Sequence, residues 1–546
     1  MSAPAPPWST GAATGAAGPQ RRRTGAPRPR RAGALLVLAV VAWAAWGSGL
    51  GREPVLNPGG RHVLGEFWVA ALHPELSPEL LRTTARACVV TVAFALLGTV
   101  LATAGGLVGG VLASRVLWST TPFDAPARRV RRRAGWLLTR GALGVPRGVH
   151  EAVWGVVLVS FLGRDPLVGV LAIAVPFGAI TATVYADLID TTARAQHAAL
   201  VAAGAGRLTA LVYGVLPLTV RDLTAYAFYR FDCALRSAVV LGMIGAGGVG
   251  LELNLAFQAL DHERTWTLLY ALVVLGALVD RWGAALRSGR GRRRVPASAA
   301  LAAVLALASA VVLSPDLGRL TDPRTAELLG DLVRRAVPPD PPGGWTGLLG
   351  DAAATLRLSV LAIAVSSVLA PVLAFAAARA PGAGPLRRAV GSAARLALLV
   401  VRVVSPPVWA LLLLFVLLPG PLPGALALGV YNAGVLGRLF AEVVEDLDDA
   451  PAAALRAAGA GAVATSCYAV LPLALTRFAA YALYRWEVAI RDSVVVGVVG
   501  AGGLGRVLES ERASFDHAGV LAVVLALLVL SVLVDLLSAR ARRALG

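Results

Sequence analysis

Apolar stretches of 18 to 30 residues recur along the chain, and short polar loops rich in glycine, proline and arginine separate them. A helix needs about 20 apolar residues to cross the hydrocarbon core of a bilayer, so each stretch is a candidate transmembrane helix. Twelve candidates lie near 33–50, 84–113, 145–163, 166–186, 217–245, 265–285, 296–313, 353–378, 396–418, 423–444, 472–500 and 518–537. The pattern predicts an all-α, polytopic membrane protein with about 12 transmembrane helices.

Composition supports this class. Hydrophobic residues make up 57% of the 546 residues, charged residues only 15%, and the mean hydropathy is +0.70. An ordinary water-soluble globule cannot bury so large an apolar fraction, so the lipid bilayer is the expected environment.

The second half of the chain repeats the first. Tyr213–Gly250 and Tyr468–Gly505 are identical at 20 of 38 positions without a gap. The same register of 255 positions relates Arg147 to Arg402 and Trp154 to Trp409. We therefore predict two homologous six-helix modules, at 33–290 and 291–546, after a disordered basic cytosolic tail over 1–32.

The net charge of +19 is distributed as a topology signal. With an internal N-terminus and 12 alternating spans, every arginine cluster falls on the cytoplasmic side. These clusters lie at 21–31, 115–140, 287–294, 387–388 and 540–543. We predict a multi-pass protein of the cell membrane with both termini in the cytoplasm. Attraction to anionic lipid is a companion interpretation, and nucleic-acid binding is not expected because no aromatic-interleaved basic module accompanies the charge.

Several kinds of chemistry are absent from the sequence. The six histidines show no metal-ligand spacing, and the three cysteines, Cys88, Cys233 and Cys467, are odd in number and favour free thiols. The chain contains no lysine, so it cannot supply the lysine of a Walker phosphate loop. We predict no catalytic residue, metal or cofactor, and conclude that ATP, if it drives this protein, must bind another subunit.

A glycine-rich run occurs at the same place in both halves. Its glycines are Gly245, Gly247, Gly248 and Gly250, then Gly500, Gly502, Gly503 and Gly505. Both runs match GxGxxG, but a membrane helix precedes each of them, where a dinucleotide site requires a strand. The runs predict a break in a membrane helix, either for close helix packing or for contact with a transported solute.

Ionisable residues precede each glycine run inside an apolar segment. They are Arg230, Asp232 and Arg236, then Arg485, Glu487, Arg491 and Asp492. Charges within the bilayer are costly and must pair or face the bundle interior. The spacing of four residues predicts the pairs Asp232–Arg236 and Glu487–Arg491. Two interpretations stay open: structural ion pairs, or a pathway in which surplus arginine attracts an anion.

A short helix is predicted in the loop before each of these segments. In the first half Thr192 is the candidate N-cap, Gly204 ends the helix and Pro217 opens the next membrane helix. In the second half Asp449 or Ala450 starts the helix, Gly459 ends it and Pro472 follows. Each short helix is either a docking site for a partner or a helix on the membrane surface.

Together these motifs resemble the permeases of phosphonate-type ABC importers, which also serve phosphate or phosphite. The resemblance rests on the alanine-rich helix, the glycine and the Leu-Pro pair, followed by Tyr-Arg-aromatic-acid, Arg and the glycine run. It covers 150–285 and 400–540 well. It implies two permease modules of the type I importer fold fused in one chain, with the ATPase-coupling positions at Ala199, Gly204, Pro217, Ala454, Gly459 and Pro472.

The resemblance also implies partners. A dimer of cytosolic ATPase subunits would dock on the two loops, and an extracytoplasmic binding protein would deliver the solute, so the chain itself would not be an enzyme. One departure from the family pattern is the alanine at Ala198 and at Ala453, where a glutamate is usual. The long basic insert between Arg115 and Arg140 has no equivalent length in the second half. An ATP-independent channel or secondary carrier for a small anion is the alternative function.

Overall fold

The computed structural model describes residues 31–49, 55–119, 126–287, 295–379 and 384–545. Within these ranges the regular structure is helical, apart from an isolated bridge between Leu56 and Leu417. The predicted tail over 1–32 and the arginine clusters at 21–31 and 287–294 lie almost wholly outside the described residues.

Two compact units divide the chain. The unit His73–Arg335 contains α3 (Pro78–Ala113), α4 (Pro126–Gly148), α5 (Glu151–Leu162), α6 (Pro166–Thr191), α7 (Ala195–Ala202), α8 (Arg207–Gly214), α9 (Leu216–Leu241), α10 (Val249–Gln258), α11 (His262–Arg287) and α12 (Val295–Leu313), and α13 (Pro323–Ala336) ends at its boundary. The described residues up to Leu72 and the segment from Ala336 form the other unit. It contains α1 (Arg31–Gly47), α2 (Gly60–Ala70), α14 (Gly344–Ala377), α15 (Pro385–Val403), α16 (Pro406–Val416), α17 (Pro421–Glu445), α18 (Ala450–Ala457), α19 (Ala462–Thr465), α20 (Leu471–Val496), α21 (Gly503–Ala513) and α22 (His517–Leu545).

The first helix of each sequence repeat belongs to the compact unit formed by the other repeat: α1 lies with the second repeat and α12 with the first. In one unit Ala306 and Leu313 of α12 belong to the same buried cluster as residues of α3, α6 and α9. In the other, Ala44 of α1 is fully buried against Leu358 and Leu428. The predicted modules at 33–290 and 291–546 describe the sequence duplication, and the compact units follow a different division.

Seven helices of the described residues are long and apolar enough to cross a membrane, and ten if each sharply bent pair counts as one span. Two shorter apolar helices lie at Val37–Gly47 and Ser298–Leu313. The seven long helices, the three bent pairs and the two shorter helices together follow the order of the twelve predicted stretches. Length and hydropathy therefore support seven to ten spans in the described residues, against the predicted number of about 12.

Two predicted spans are not continuous helices. The predicted span at 145–163 is divided between α4 and α5, which meet at 88°, and the span at 396–418 is divided between α15 and α16, which meet at 95°. His150 caps α5 by accepting a hydrogen bond from the Ala152 N–H at 3.1 Å, and Pro406 opens α16. Since a proline disfavours the α conformation of the residue before it, α15 cannot continue through Ser405.

The basic insert between Arg115 and Arg140 is largely helical. Most of it lies in α4, which has 23 residues, and its counterpart in the second half is α15, with 19 residues. The segment between α3 and α4 has 12 residues and the segment between α14 and α15 has seven, so the first half is longer here, as the sequence indicated. The helix α4 itself was not predicted, because its arginines interrupt the apolar pattern.

Candidate functional site

The loop helices α7 and α18 have the same length and the same pattern of exposure. Each has eight residues. Ala199 and Ala454, the predicted coupling residues, are both exposed. Ala198 and Ala453, which stand where the resemblance implies glutamate, are exposed beside them. At these positions both helices expose small, uncharged side chains.

Both loop helices end at a glycine in a left-handed conformation. The φ angle is +91° at Gly204 and +86° at Gly459. Each glycine N–H donates to the carbonyl three residues earlier, and the next N–H donates to the carbonyl five residues earlier, at 2.9–3.0 Å. This is the usual capping pattern of a helix that ends at glycine, so the predicted helix ends at Gly204 and Gly459 agree with the geometry.

Thr192 does not cap α7, contrary to the sequence interpretation. It terminates α6 instead, and its hydroxyl donates to the Leu188 carbonyl at 2.9 Å. Arg194 occupies the N-cap position of α7 and makes no capping hydrogen bond through its side chain. Asp449 precedes α18 as predicted, but its carboxylate accepts a hydrogen bond from Arg456 at 2.6 Å and does not cap the helix.

The inward residue distinguishes the two loop helices. His197 of α7 is 7% exposed, and the equivalent residue of α18 is Ala452, at 4%. Burial, reinforced by the charge of Arg194, lowers the pKa of the His197 imidazole below its ordinary value of 6.5. Near neutral pH the imidazole is therefore uncharged beneath α7.

Each loop leads directly into a long helix that opens with proline. Pro217 lies in the first turn of α9 and Pro472 in the first turn of α20. In the first half α8 meets α9 at 64°. In the second half α19 continues through the π turn Ser466–Val470 into α20. A displacement of either loop helix would therefore act on the helix that carries the charged residues and the glycine run.

The glycine runs form matching breaks. A π turn ends each long helix, at Gly242–Ala246 and at Gly497–Ala501, and a new helix starts after two intervening residues in the first half and one in the second. Three glycines of each run have positive φ angles: +109°, +105° and +75° at Gly245, Gly247 and Gly248, and +112°, +83° and +66° at Gly500, Gly502 and Gly503. Residues with a Cβ rarely adopt these angles, so the predicted helix breaks are present and require glycine.

Close backbone packing explains the remaining glycine of each run. A Cβ on Gly250 would overlap the Val239 carbonyl oxygen, and a Cβ on Gly505 would overlap the Val494 carbonyl oxygen. A threonine from an earlier helix of the same half, α3 or α14, holds each break. Thr91 of α3 accepts a hydrogen bond from the Val249 N–H, and Thr355 of α14 accepts one from the Leu504 N–H, both at 2.9 Å.

In the first half the predicted ion pair is present. The Arg236 guanidinium donates to the Asp232 carboxylate at 2.6 Å on one face of α9. Arg230 is 7% exposed. It donates to the Tyr226 hydroxyl at 2.6 and 2.9 Å and lies 5.1 Å from the centre of the Phe177 ring.

In the second half the predicted pair Glu487–Arg491 is not formed. Glu487 of α20 accepts a hydrogen bond from Arg542 of α22, so this pair joins two helices. Arg485 donates to the Asn432 side-chain oxygen at 2.8 Å through Nε and lies 3.6 Å from the Asp492 carboxylate. Spacing alone favoured Arg491, because the sequence does not reveal that the end of α22 reaches α20.

The comparison with protein families gives a direct match. The profile of the family described as "Binding-protein-dependent transport system inner membrane component" matches residues 127–326 and 372–545. The first match covers most of the first half and extends into the second, the second match lies wholly in the second half, and together they cover more than half of the chain. The chain belongs to this family. It is a multi-pass inner membrane permease rather than an enzyme, and its duplicated helical architecture is that of a fused pair of permease modules.

Individual relatives of the permease are also transport proteins. It is 31% identical over 491 residues to the "Phosphate-import permease protein PhnE" of Mycolicibacterium smegmatis, an alignment that covers 85% of this chain and 87% of the relative. It is 38% identical over 217 residues to the "Phosphite transport system permease protein PtxC" of Stutzerimonas stutzeri, covering 39% of this chain and 77% of that protein. No solved structure matches the permease.

Several residues that hold the site of the permease were not predicted. Thr91 and Thr355 gave no signal, since each lies in an apolar helix far from its glycine run in sequence. Trp154 and Trp409 were noted only as a matching pair. Their indole N–H groups donate across the bends between α4 and α5 and between α15 and α16, to the Pro146 carbonyl at 3.4 Å and the Val401 carbonyl at 3.1 Å.

Proposed function

We propose that this permease forms the translocation pathway for a phosphorus oxyanion, namely phosphate, phosphite or a phosphonate. An ATPase dimer docked on α7 and α18 drives it, and an extracytoplasmic binding protein delivers the solute. The relatives described as phosphate-import and phosphite permeases support the class of solute. The buried guanidinium group of Arg230 and the partly buried one of Arg485 favour an anion, because their planar donors match phosphate-like oxygens.

The observation that carries the proposal is the duplicate loop geometry. Both halves place an eight-residue helix, ended by a left-handed glycine, immediately before the helix that bears the charged residues. A surface helix with no partner would not require the same cap and the same exposed alanines twice. In the proposed orientation both loops and both termini are cytoplasmic, and 33–290 and 291–546 are the two permease modules.

The proposed mechanism is alternating access. ATP binding closes the partner dimer and moves α7 and α18. Their displacement passes through α8 to α9 in the first half, and through α19 and its π turn to α20 in the second. The glycine breaks at the ends of α9 and α20 allow each long helix to move separately from the helix that follows it.

The test is uptake of phosphate, phosphite and a phosphonate by cells that express the permease with its ATPase. Proline at Gly204 and Gly459 is incompatible with their positive φ angles and removes the capping N–H. We expect Gly204→Pro with Gly459→Pro to insert normally but to lower uptake at least tenfold while ATP hydrolysis continues, which is uncoupling.

The matched control is Gly206→Pro with Gly461→Pro. These glycines lie two residues further on, and their φ angles of −60° and −67° suit proline. Normal uptake by the Gly204/Gly459 variant would show that the two loops do not couple to an ATPase. A permease that purifies without an ATPase and transports the anion alone would favour the alternative, a partner-free carrier or channel.

A further inference from the structure

The amphipathic helix α4 carries more arginine than its contacts use. Its sequence, PARRVRRRAGWLLTRGALGVPRG, contains seven arginines and no acidic residue. Arg128, Arg131 and Arg133 are exposed, and we call these three residues the α4 arginine rim. Because positive charge near a helix N-terminus opposes the helix dipole, an external anion bound at this place would stabilise the helix.

Contacts along α4 fix the depth of the rim. Arg140 donates to Asp187 near the end of α6 at 2.7 Å, and Trp136 donates to the carbonyl of Ala113, the last residue of α3, at 3.0 Å. Both α3 and α6 are candidate membrane spans. The rim lies one to two helical turns before Trp136, and it is therefore at or just beyond the level where these spans end.

The outward face of α4 is apolar beside the rim. Val130, Leu137, Leu138 and Val145 are 51–73% exposed. Their spacing of i, i+7, i+8 and i+15 places them on one side of the helix. An exposed apolar stripe flanked by arginines at the end of neighbouring spans is the arrangement of a helix in the membrane interface, with arginines extended to the headgroups.

The counterpart α15 uses its arginines differently. Arg387 donates to the Phe375, Ala376 and Ala378 carbonyls at 2.6–3.0 Å, and Arg395 donates to the Ala377 carbonyl at 2.9 Å. These contacts cap the end of α14. In the first half the carbonyls at the end of α3 accept hydrogen bonds from Trp118, Trp136 and Arg140. The rim takes no part in these contacts, so it is an addition that capping of α3 does not explain.

We propose that the α4 arginine rim binds the phosphate groups of anionic phospholipids in the leaflet that the ends of α3 and α6 reach. The occupant is a lipid because the apolar stripe continues the rim toward the bilayer core, whereas an acidic protein or RNA would leave that stripe in water. Each arginine near an anionic surface contributes about a fivefold preference.

The test is the lipid that stays bound to the full-length permease. Wild type and Arg128→Gln/Arg131→Gln/Arg133→Gln are reconstituted in nanodiscs of phosphatidylcholine and phosphatidylglycerol, and retained lipids are counted by native mass spectrometry. Three arginines near an anionic surface supply a preference for phosphatidylglycerol of roughly a hundredfold. We expect the variant to lose most of this preference. The lysine version, Arg128→Lys/Arg131→Lys/Arg133→Lys, should keep it because the charge remains.

A control removes the same charge elsewhere. Arg82→Gln/Arg324→Gln/Arg335→Gln replaces three exposed arginines of α3 and α13, and it should retain phosphatidylglycerol like wild type. Equal retention by the glutamine rim variant and wild type overturns the proposal. So does equal loss in the lysine version, which would indicate a structural role, or loss of a copurified protein or RNA with lipid retention unchanged. Uptake measurements are independent of these outcomes, so the proposed transport function can fail or hold separately.

Discussion

The two halves of the permease share their backbone devices but differ in their charged contacts. Both have a left-handed glycine after the loop helix and a glycine break held by a threonine. In the first half Asp232 pairs with Arg236 on its own helix, whereas Glu487 pairs with Arg542 on another. The shared features indicate what both halves must do mechanically, and the differing charges indicate that the two long helices are not held alike.

The largest expected effect tests the shared backbone. Gly250→Ala and Gly505→Ala each place a Cβ against a carbonyl oxygen of the preceding helix. We expect each substitution to lower the free energy of unfolding by about 1–3 kcal/mol or more, since backbone cannot move aside as a flexible side chain can. Thermal unfolding in detergent measures the loss, and the two variants should lose similar amounts.

Gly105→Ala is the control for these variants. Gly105 lies within α3, and a Cβ there meets nothing within 4 Å, so alanine should leave stability unchanged or raise it slightly. If Gly250→Ala and Gly505→Ala were as stable as this control, the breaks would not depend on close backbone packing.

A second prediction separates the halves. Glu487→Gln leaves Arg542 without its carboxylate and removes a link between α20 and α22, while Asp232→Asn removes a pair within α9. We expect about 1–3 kcal/mol of destabilisation for Glu487→Gln and less for Asp232→Asn, because Glu487 is the more buried carboxylate and its charge pairing joins two helices. Unfolding of the two variants in the same detergent gives the comparison.

Arg491→Ala serves as the reference for this prediction. Spacing predicted that Arg491 pairs with Glu487, and the contact of Glu487 with Arg542 replaces that pair. Arg491→Ala should therefore be less destabilising than Arg542→Ala. The reverse order would restore the pair predicted from sequence. A loss of uptake in Arg236→Ala or Arg491→Ala without a loss of stability would instead assign that arginine to the pathway.

Sequence patterns were sufficient where the cause is local. Helix-ending glycines, the glycine breaks and the i, i+4 pair Asp232–Arg236 all depend on a few neighbouring residues. Patterns were insufficient where the cause is distant. Arg542 reaches Glu487 from 55 positions away and Thr91 reaches Val249 from 158, and no periodicity reports such contacts. The bends after α4 and α15 were missed because each predicted span was drawn through the bend, and apolar content alone does not report a change of chain direction.

The smallest expected effect concerns the loop helices. His197 lies beneath α7 where Ala452 lies beneath α18, and burial lowers the pKa of its imidazole. Above pH 7 the imidazole is neutral whether or not α7 is packed, so its titration has no effect on stability. As the pH falls through about 6.5, the ordinary value for histidine, the unpacked loop takes up a proton that the packed loop resists. Packing of α7 is therefore weakened by acid, and packing of α18 is not weakened by this mechanism.

Hydrogen exchange of the two loops measures this difference. Protection factors, corrected for the intrinsic pH dependence of exchange, should fall between pH 7.5 and pH 5.5 for 195–214 more than for 450–470. In His197→Gln, which cannot titrate, the two loops should respond alike. If the wild-type loops already respond alike, His197 does not distinguish them. If α7 loses protection in acid while its glycine cap persists, the two halves share a loop geometry but differ in its pH dependence. Under the proposed coupling mechanism, the first half should then lose its coupling to the ATPase first as the pH at the loops falls.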